Sequence, residues 1–293
     1  MGWVESEPVS APALKKIAAV PDVSSLSEAL SSFTSVVITD GSSGIGKSFI
    51  ELCAKLNPTL VVCNLSRHAP VINNGKLKLR HFPCDLAECV EISRIAADLE
   101  TFLADAAPTG RVLLINNAGV GAFGSFPEPD LAQSLVMIDV NIRSLVELTG
   151  RMLPLLKKRG GVIMNIASTA AFQPTPFTAT YGATKAFVLH WSLALNVELR
   201  GSGVSTLAVC PGTTSTDFFD RAGVAPRASS NQQQTSEEVA WTAIQALQRG
   251  EPQVVSGWIN RVMVAVVTKL PKPLAARLAG RVLKDYYQKR DRA

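Results

Sequence analysis

Two side chains in the second half of the chain have the types and spacing that acid–base chemistry requires. Tyr181 and Lys185 are four residues apart at the start of a predicted helix, so both lie on one face about one turn apart. An ammonium group near a phenol favours the phenolate and lowers the pKa of Tyr181 from about 10 toward the working pH. With three tyrosines in the chain, roughly 0.1 such pairs would arise by chance, so the pair alone suggests this chemistry without proving it.

Two further polar residues precede this pair. Ser168 follows a predicted strand 13 residues before Tyr181, and Asn141 lies in a long predicted helix 40 residues before it. A hydroxyl beside the phenol could hold a substrate carbonyl, and an amide could fix a water that links Lys185 to solvent. Taken singly, Ser168 is better explained as a loop hydroxyl and Asn141 as a polar residue on a helix face.

A glycine-rich stretch, TDGSSGIG at residues 39–46, has the composition of a phosphate-binding turn. It follows the apolar residues 36–38 and leads into a helical pattern. The glycines would let the backbone approach a pyrophosphate closely, and the N-terminus of the helix behind them favours an anion. Taken alone, the stretch is explained about equally well as a tight turn between a strand and a helix.

The ends of the next predicted strands strengthen the nucleotide interpretation. Ser66 and Arg67 end the second strand, where an arginine could meet the 2′-phosphate of an adenosine ribose. This favours NADP(H) over NAD(H), with an ordinary solvated arginine as the alternative. Asp85, which follows the third strand, is predicted to cap the next helix and could contact an adenine amine. The fourth strand runs into NNAG at 116–119, which could admit a cofactor or form a turn.

Apolar, β-branched runs alternate with helical patterns from residue 34 onward. Continuous hydrophobicity marks strands buried on both faces, and the alternation implies right-handed crossovers in a parallel sheet. The sequence therefore predicts a doubly wound α/β fold with ligands at the carboxyl ends of its strands. The predicted strands are 35–39, 60–65, 77–82, 112–115, 162–166, 204–209 and 253–255, and the predicted helices lie near 45–56, 88–105, 130–157, 181–200 and 236–249.

The two ends of the chain fall outside this pattern. Residues 1–33 are rich in serine, proline and alanine and are predicted to form a loosely ordered extension. Residues 34–256 form the predicted catalytic domain. Residues 257–293 form a predicted basic amphipathic helical segment, broken at Pro271 and Pro273. This segment could contact a membrane surface or another copy of the chain, although a solvated helix face is about twice as good an explanation.

Composition limits the classes of protein that need be considered. With 293 residues, 47% of them hydrophobic, the chain can bury the core of one large domain. The apolar run 262–267 is far shorter than the roughly 20 residues of a bilayer span. The N-terminus carries acidic residues and prolines, whereas a secretory signal has a basic stretch followed by an apolar one. The cytoplasm is therefore the expected compartment. The five cysteines lack C-x-x-C spacing and are predicted to be buried free thiols, with no metal site.

Together these motifs resemble the short-chain dehydrogenase/reductase family. TDGSSGIG, NNAG, the VN pair at 140–141, Ser168, YGATK at 181–185 and PG at 211–212 occur in that family's order and spacing over about residues 34–250. The resemblance implies a single Rossmann-type domain that moves hydride between a nicotinamide and a carbonyl or alcohol. It makes Tyr181 the acid/base, Lys185 its pKa partner and a ribose ligand, Ser168 the carbonyl-positioning hydroxyl and Asn141 the water-relay residue.

The resemblance also implies the residues that bind the cofactor. These are Thr39, Gly41, Ser42, Ser43, Gly44, Ile45, Gly46, Ser66, Arg67, Asp85, Leu86, Asn117, Ala118, Gly119, Tyr181, Lys185, Pro211, Gly212 and Thr216. The stretch around residues 165–187 and the basic C-terminal end are most similar to the 3-oxoacyl and hydroxysteroid reductases of the family.

Asp40 departs from the family pattern, in which a glycine follows the threonine of the turn. Its Cβ must fit a tight backbone and its charge lies near the expected diphosphate. At an effective dielectric of about 20, two unit charges roughly 6 Å apart cost on the order of 3 kcal/mol, or about a hundredfold in affinity. The side chain could instead turn away and accept hydrogen bonds from local amides.

The sequence thus predicts reduction of a ketone or aldehyde by NADPH, or the reverse oxidation. The partner is expected to be a small, apolar carbonyl or alcohol, with no nucleic acid, and the protein a homodimer or homotetramer. Residues 213–234 are predicted to form a mobile lid whose Phe218 and Phe219 suit an apolar substrate, with a plain surface loop as the alternative. A rival hypothesis is a nucleotide-sensing or scaffold protein that binds its cofactor weakly because of Asp40.

Overall fold

A seven-stranded parallel sheet forms the centre of the protein in the computed structural model, which describes residues 23–73, 76–126, 130–216, 218 and 234–290. The strands are β1 Phe33–Thr39, β2 Val61–Ser66, β3 Lys78–Pro83, β4 Arg111–Asn116, β5 Gly161–Ile166, β6 Val204–Cys210, β7 Thr214–Ser215, β8 Gln234–Thr235 and β9 Gln253–Val255. In the main sheet they run in the order β3-β2-β1-β4-β5-β6-β9, so the strand order reverses between β1 and β4. The strands β7 and β8 form a separate short parallel pair.

Helices cover both faces of this sheet. The five predicted helices are present, and the pattern near 130–157 contains two α-helices joined by a π-helical turn at Asp139–Arg143. A 3-10 turn, Thr169–Phe172, follows β5. The α-helices are α1 Val23–Ser31, α2 Gly44–Leu56, α3 Cys89–Ala106, α4 Leu131–Ile138, α5 Ser144–Arg159, α6 Ala179–Glu198, α7 Ser236–Gln248, α8 Trp258–Val267 and α9 Lys272–Arg290.

Burial on both faces explains the continuous hydrophobicity of the strands. In β1, Val36 and Ile38 join a core formed with α1, α2 and α7, whereas Val37 points to the other side and packs with α3 and α5. All six residues of β2 and of β5 are buried. The predicted doubly wound α/β architecture is therefore confirmed.

The first helix changes the predicted boundary of the domain. Leu26 and Leu30 are 1% and 0% exposed and belong to the same core as β1 and α2. Asn57 also donates a hydrogen bond from Nδ2 to the Leu30 carbonyl at 3.2 Å. The prediction of a loosely ordered extension is wrong for residues 23–33, because two leucines four residues apart anchor this helix. Residues 1–22 lie outside the described part of the chain.

The cysteines occupy the places that the sequence predicts. Cys53, Cys63, Cys84 and Cys210 are buried free thiols, and Cys89 is partly exposed. Burial raises the pKa of the Cys53 thiol to about 12, so this group stays protonated and unreactive at neutral pH. No helix within the described residues combines the length and apolar character that crossing a bilayer requires.

Candidate active site

The predicted catalytic residues meet at the carboxyl edge of the sheet. Ser168 follows β5, and Tyr181 and Lys185 lie in the first two turns of α6. The Ser168 side chain lies near the Tyr181 hydroxyl and acts to lower its pKa. Lys185 donates from Nζ to the Ile166 carbonyl at 2.8 Å, and this nitrogen lies 5.9 Å from the centroid of the Tyr181 ring. The sequence spacing thus brings hydroxyl, phenol and ammonium together, as predicted.

A glycine inside the YGATK motif makes this arrangement possible. A Cβ added at Gly182 would lie 1.9 Å from Thr175 Oγ1, so any side chain here would push α6 away from the loop that follows Ser168. Next to it, Thr184 donates its hydroxyl to the Tyr181 carbonyl at 2.7 Å and is itself buried. Thr184 was missed as a site residue, although its position three residues after Tyr181 is a helical spacing.

Burial sets the protonation of the pair. It raises the pKa of Tyr181 to about 12, and the nearby Ser168 side chain offsets this only in part. Burial also lowers the pKa of Lys185 to about 8. The predicted lowering of the Tyr181 pKa is therefore wrong for the protein without a ligand, because loss of solvent destabilises the phenolate more than the nearby groups stabilise it.

Asn141 ties the catalytic helix to the loop after β4. It lies in the π-helical turn, where its amide nitrogen donates to the Val120 carbonyl and to Thr184 Oγ1, both at 2.9 Å. Its Oδ1 accepts the Val120 N–H at 2.8 Å. Both amide hydrogens are thus used within the protein, and Asn141 holds α6 at a fixed distance from residue 120. The water relay implied by the resemblance would have only Oδ1 to use.

The loop after β4 passes directly over these groups. A Cβ added at Gly119 would lie 3.0 Å from Lys185 Nζ and 3.5 Å from Asn141 Oδ1. Only a glycine therefore leaves room for a ligand to reach the ammonium from this side. NNAG thus belongs to the site rather than to an unrelated turn.

The glycine-rich turn is fastened to the same loop by four hydrogen bonds. Thr39 Oγ1 accepts the N–H groups of Asn117 and Ala118 at 2.9 Å. Asn117 Nδ2 donates to the carbonyls of Thr39 and Asp40 at 3.0 Å. Asn117 therefore acts here as a brace between the turn and the loop, a role that the sequence did not indicate.

Asp40 occupies the position of a glycine in conformation as well as in sequence. Its φ of 52° is left-handed, a region that glycine enters freely and aspartate only at some cost. Its amide donates to the Leu65 carbonyl at 2.8 Å, and a Cβ added at Gly46 would lie 2.2 Å from the Asp40 carbonyl oxygen. The turn is therefore as tight as the family pattern requires, and the Asp40 Cβ is accommodated in it.

The N-terminus of α2 lies directly behind this turn. Its N-cap, Ser43, makes no side-chain capping bond, and Gly44 has a left-handed φ of 52°. Ser42 is half-buried, and Ile45 packs against the core. The backbone N–H groups at the start of α2, together with the glycine backbone of the turn, fit the diphosphate of a dinucleotide. Gly41 donates its N–H to Asn64 Oδ1 at 2.8 Å, a contact whose only sequence signal was a polar residue within the apolar strand VVCNLS.

Four of the predicted cofactor-binding residues lie at the ends of β2 and β3, and the structure contradicts one prediction made for them. Arg67 is exposed just after β2, while Ser66 is buried and donates its hydroxyl to the His68 carbonyl at 2.7 Å. Leu86 is buried in the core. The predicted capping by Asp85 is wrong because Glu88 is the N-cap of α3. Asp85 Oδ1 instead accepts the Ala87 N–H at 2.9 Å within the loop.

The segment after β6 forms another wall of the site. The Pro211 carbonyl accepts the Thr169 N–H at 2.8 Å, which joins this segment to the turn that begins after Ser168. A Cβ added at Gly212 would lie 2.3 Å from Asn260 Nδ2 of α8. Thr216 lies against Gly44, since a Cβ added there would be 3.1 Å from Thr216 Cγ2.

Phe218 closes the front of the site. Its ring centroid lies 5.4 Å from that of Tyr181, and a Cβ added at Gly121 would be 2.5 Å from Phe218 Cζ. The rest of the predicted lid, residues 217 and 219–233 with Phe219 among them, lies outside the described residues. A separate cleft of about 490 Å³, lined in part by Phe33 and Arg111, contains none of the predicted site residues.

Comparisons with known proteins agree with this geometry. The family described as short chain dehydrogenase matches residues 34–225. Serine 3-dehydrogenase of Agrobacterium fabrum is 39% identical over 122 residues, which are 41% of this chain and 49% of that protein. A very-long-chain 3-oxoacyl-CoA reductase of Anas platyrhynchos is 26% identical over 269 residues, 85% of this chain and 83% of the relative.

The fold of the chain is also similar to that of a solved short-chain dehydrogenase. The short-chain dehydrogenase from Sphingobium yanoikuyae in complex with NADPH has a TM-score of 0.66 at 25% identity, over 82% of this chain and 97% of that one. The matches with the first curated relatives span 49% to 63% of those proteins' lengths. The family match, in contrast, covers most of this chain and includes the glycine-rich turn together with the Ser168–Tyr181–Lys185 group. The chain belongs to the short-chain dehydrogenase family of oxidoreductases.

Proposed function

We propose that the protein reduces a ketone or aldehyde on an apolar substrate with NADPH, or catalyses the reverse oxidation of the alcohol. The observation that carries this proposal is the placement of Ser168 and the buried Lys185 around the Tyr181 phenol. The loop after β4 connects these groups with the glycine-rich turn, because it contacts both of them. A hydroxyl, a phenol and an ammonium at one sheet edge suit proton transfer to a carbonyl oxygen.

The residues that would hold the cofactor follow the carboxyl edge of the sheet. The N-terminus of α2 and the turn at 39–46 would bind the diphosphate, and Gly119 would leave room for the ribose beside Lys185. When bound, a reduced nicotinamide supplies the hydride. The neighbouring segment at Pro211, Gly212 and Thr216 would face the nicotinamide, as the family resemblance implies.

In the proposed mechanism the chain's own groups handle the proton and the developing charge. With a pKa of about 12, the Tyr181 phenol is protonated at neutral pH and can donate its proton to the substrate oxygen. Ser168 would hold the same oxygen by a second hydrogen bond. Lys185, whose pKa lies near 8, would offset the negative charge that forms on the phenol.

The mechanism is tested with Tyr181→Phe, which keeps the ring and removes the proton. NADPH absorbance is followed against short ketones, steroids and 3-oxoacyl thioesters, and the variant should lose at least a hundredfold in turnover. Its melting temperature and its contact with Phe218 should be retained, because only the hydroxyl is removed. Equal turnover by the two proteins would overturn the assignment.

The preference for NADPH rests on Arg67. This side chain is exposed at the end of β2, the position at which dinucleotide-binding folds meet the 2′ group of the adenosine ribose. Arg67→Ala should weaken NADPH binding by about tenfold or more, since a charge-assisted contact is lost, and leave NADH binding unchanged. An equal loss for both cofactors, measured by calorimetry, would remove the basis for this preference.

The preference for an apolar substrate rests on aromatic and apolar groups around Tyr181. Phe218 faces the phenol, and a small cavity of about 40 Å³ near the start of α6 is lined in part by Ala122, Met137 and Phe177. Phe177 has a left-handed φ of 64°, which a bulky residue adopts only at a cost. Phe218→Ser should raise KM for apolar ketones more than for short polar ones, and a uniform change would contradict this role.

The expected compartment and assembly are proposals of the same kind. Buried free thiols such as Cys53 and Cys210 support a cytoplasmic location, which cell fractionation tests.

A homodimer or homotetramer is supported by the exposed apolar residues Leu131, Leu135 and Ile138 on one side of α4. Leu135→Glu should then shift the sedimentation velocity toward that of a monomer.

A further inference from the structure

The two C-terminal helices expose an unusually apolar surface, which we call the C-terminal face. On α8, Trp258 is 73% exposed and Val262 and Val266 are 57% and 56% exposed. On α9, Val282 is 62% exposed, and Leu278 lies one turn before it at 42%. Large apolar residues grouped on adjoining helices mark an interaction site more often than chance exposure does.

The exposed residues form regular stripes rather than the edges of a packed face. Trp258, Val262 and Val266 are spaced four residues apart and so share one side of α8, whereas Val264 on the opposite side is buried. On α9 the small residues Ala275 and Ala279 pack inward. Each helix therefore attaches to the domain by one side and presents a second apolar side outward.

The segment from residue 257 onward is strongly basic. Between residues 257 and 284 the sequence contains six basic residues and no acidic one. All six are exposed, and on α9 three of them follow one stripe beside Leu278 and Val282. The basic residues are Arg261, Lys269, Lys272, Arg277, Arg281 and Lys284.

An anionic lipid surface complements both properties at once. A helix with an apolar side flanked by lysine and arginine lies in a membrane interface, where acyl chains cover the apolar side and anionic headgroups meet the cations. A second copy of the chain is the weaker occupant. A two-fold contact through this face would bring six cations against six others, which costs affinity.

The C-terminal face is joined to the active site by direct contacts. Lys272 donates from Nζ to the Phe172 carbonyl at 2.9 Å, in the 3-10 turn that follows Ser168. Asn260 of α8 packs on Gly212, next to the segment that leads to Phe218. The surface therefore adjoins two of the segments that line the proposed active site.

From this geometry we propose that the C-terminal face docks the protein on anionic membranes and that its substrate is drawn from the lipid phase. The second half of this statement rests on the proposed function, whereas the docking itself does not. The two halves are therefore tested by separate measurements.

Docking is tested by co-sedimentation of the full chain with vesicles of phosphatidylcholine alone or mixed with phosphatidylserine. Binding is expected only to the mixed vesicles and should fall as salt is raised from 0.1 to 0.5 M, since exposed charges are then screened. The double variant Val262→Asp, Val266→Asp and the double variant Arg277→Glu, Arg281→Glu should each bind at least tenfold more weakly. Val90→Asp, at an 83% exposed position on α3, is the matched control and should bind like the wild type.

Several results would overturn the proposal. Absence of wild-type binding would do so, as would binding by either double variant that equals that of the wild type. A change of oligomeric state in Val262→Asp, Val266→Asp would also overturn it, because it would assign the face to a second copy. Turnover of a short, water-soluble ketone should be unchanged in that variant, while turnover of a vesicle-dissolved ketone falls. Loss of both activities together with retained docking would count against the proposed function and not against the docking surface.

Discussion

At the scale of single residues, Asp40 is the position at which the expected diphosphate turn departs from the family pattern. Its left-handed backbone keeps the turn closed, so the shape expected for a diphosphate survives the loss of glycine. What the substitution adds is a negative charge near the place where another negative charge would lie. This is also the feature that favours the rival hypothesis of a weakly binding sensor, although the complete Ser168–Tyr181–Lys185 group argues for an enzyme.

Substitutions at Asp40 separate charge from backbone conformation. Asp40→Asn keeps a side chain that tolerates the left-handed region, and Asp40→Gly also removes the Cβ. If the charge is responsible, both variants should bind NADPH about tenfold or more tightly in calorimetry, with similar dissociation constants. A gain in Asp40→Gly alone would assign the effect to the backbone, and no gain in either would show that the carboxylate points away.

Lys185 gives a prediction about stability and pH. Its pKa falls from 10.5 in the unfolded chain to about 8 in the folded protein, so between these values the unfolded state binds more protons. The folded state therefore gains stability as pH rises through this window, and the cost of burying the ammonium is fully present below pH 8. Relative to Lys185→Met, the unfolding free energy of wild type should rise by about 1–2 kcal/mol between pH 8 and 9.5.

The measurement is urea denaturation of the protein without cofactor at both pH values. Lys158→Met, at an exposed position near the end of α5, is the control and should differ from wild type by the same amount at both. A constant difference for Lys185→Met would mean that the ammonium is not desolvated in the folded protein.

At the scale of elements, two glycines of similar helical context should respond in opposite directions. A Cβ at Gly46 in α2 would meet the Asp40 carbonyl at 2.2 Å, whereas a Cβ at Gly150 in α5 would have nothing within 4 Å. Gly46→Ala should lower the unfolding free energy by about 1–3 kcal/mol through overpacking. Gly150→Ala should raise it by about 1 kcal/mol, because alanine is the better helix former. Denaturant titration checks both, and a similar loss in the two variants would contradict the contact at Gly46.

Most elements could be predicted because their hydrophobic periods are unambiguous. The inner strands β1, β2, β4, β5 and β6 are almost entirely buried and the long helices are amphipathic, so these patterns indicate strand and helix clearly. The π-helical turn around Asn141 was not predicted, since its extra residue only shifts the phase of a pattern that stays helical on both sides. The cap of α3 was placed at Asp85 because aspartate is a strong capping residue, yet the helix begins after Glu88.

In the site, the residue types could be predicted from the sequence, whereas the contacts between distant loops could not. Tyr181, Lys185 and Ser168 were identified from spacing and resemblance, because their chemistry restricts the residue types. The brace formed by Asn117 and the packing of Phe218 on Tyr181 depend on where distant loops meet, and no local pattern records this. The direction of the Tyr181 pKa shift depends on burial, which the sequence did not give.

At the scale of the whole molecule, the domain begins earlier than its sequence pattern indicates. The stripe formed by Leu26 and Leu30 is too short to predict a docked helix, and only the groove offered by α2 and α7 makes it part of the core. Leu30→Ala should therefore cost about 2–5 kcal/mol of unfolding free energy. Glu28→Ala, at an exposed position of the same helix, should change it by less than about 0.5 kcal/mol. Equal effects in thermal or urea unfolding would mean that α1 detaches in solution.

The four hydrogen bonds between Thr39, Asp40, Asn117 and Ala118 join two loops that are 78 residues apart in the chain. Gly119 follows two residues after Asn117 and lies next to the Lys185 ammonium, so one short segment connects the glycine-rich turn with the proposed catalytic group. Because these bonds link the two loops, we expect the loops to open together, and the amide protons of both should exchange with solvent as one cooperative unit. A ligand that binds only the glycine-rich turn should then slow amide exchange in the loop after β4 as well. Binding at the turn would in that case make the proposed catalytic group more rigid.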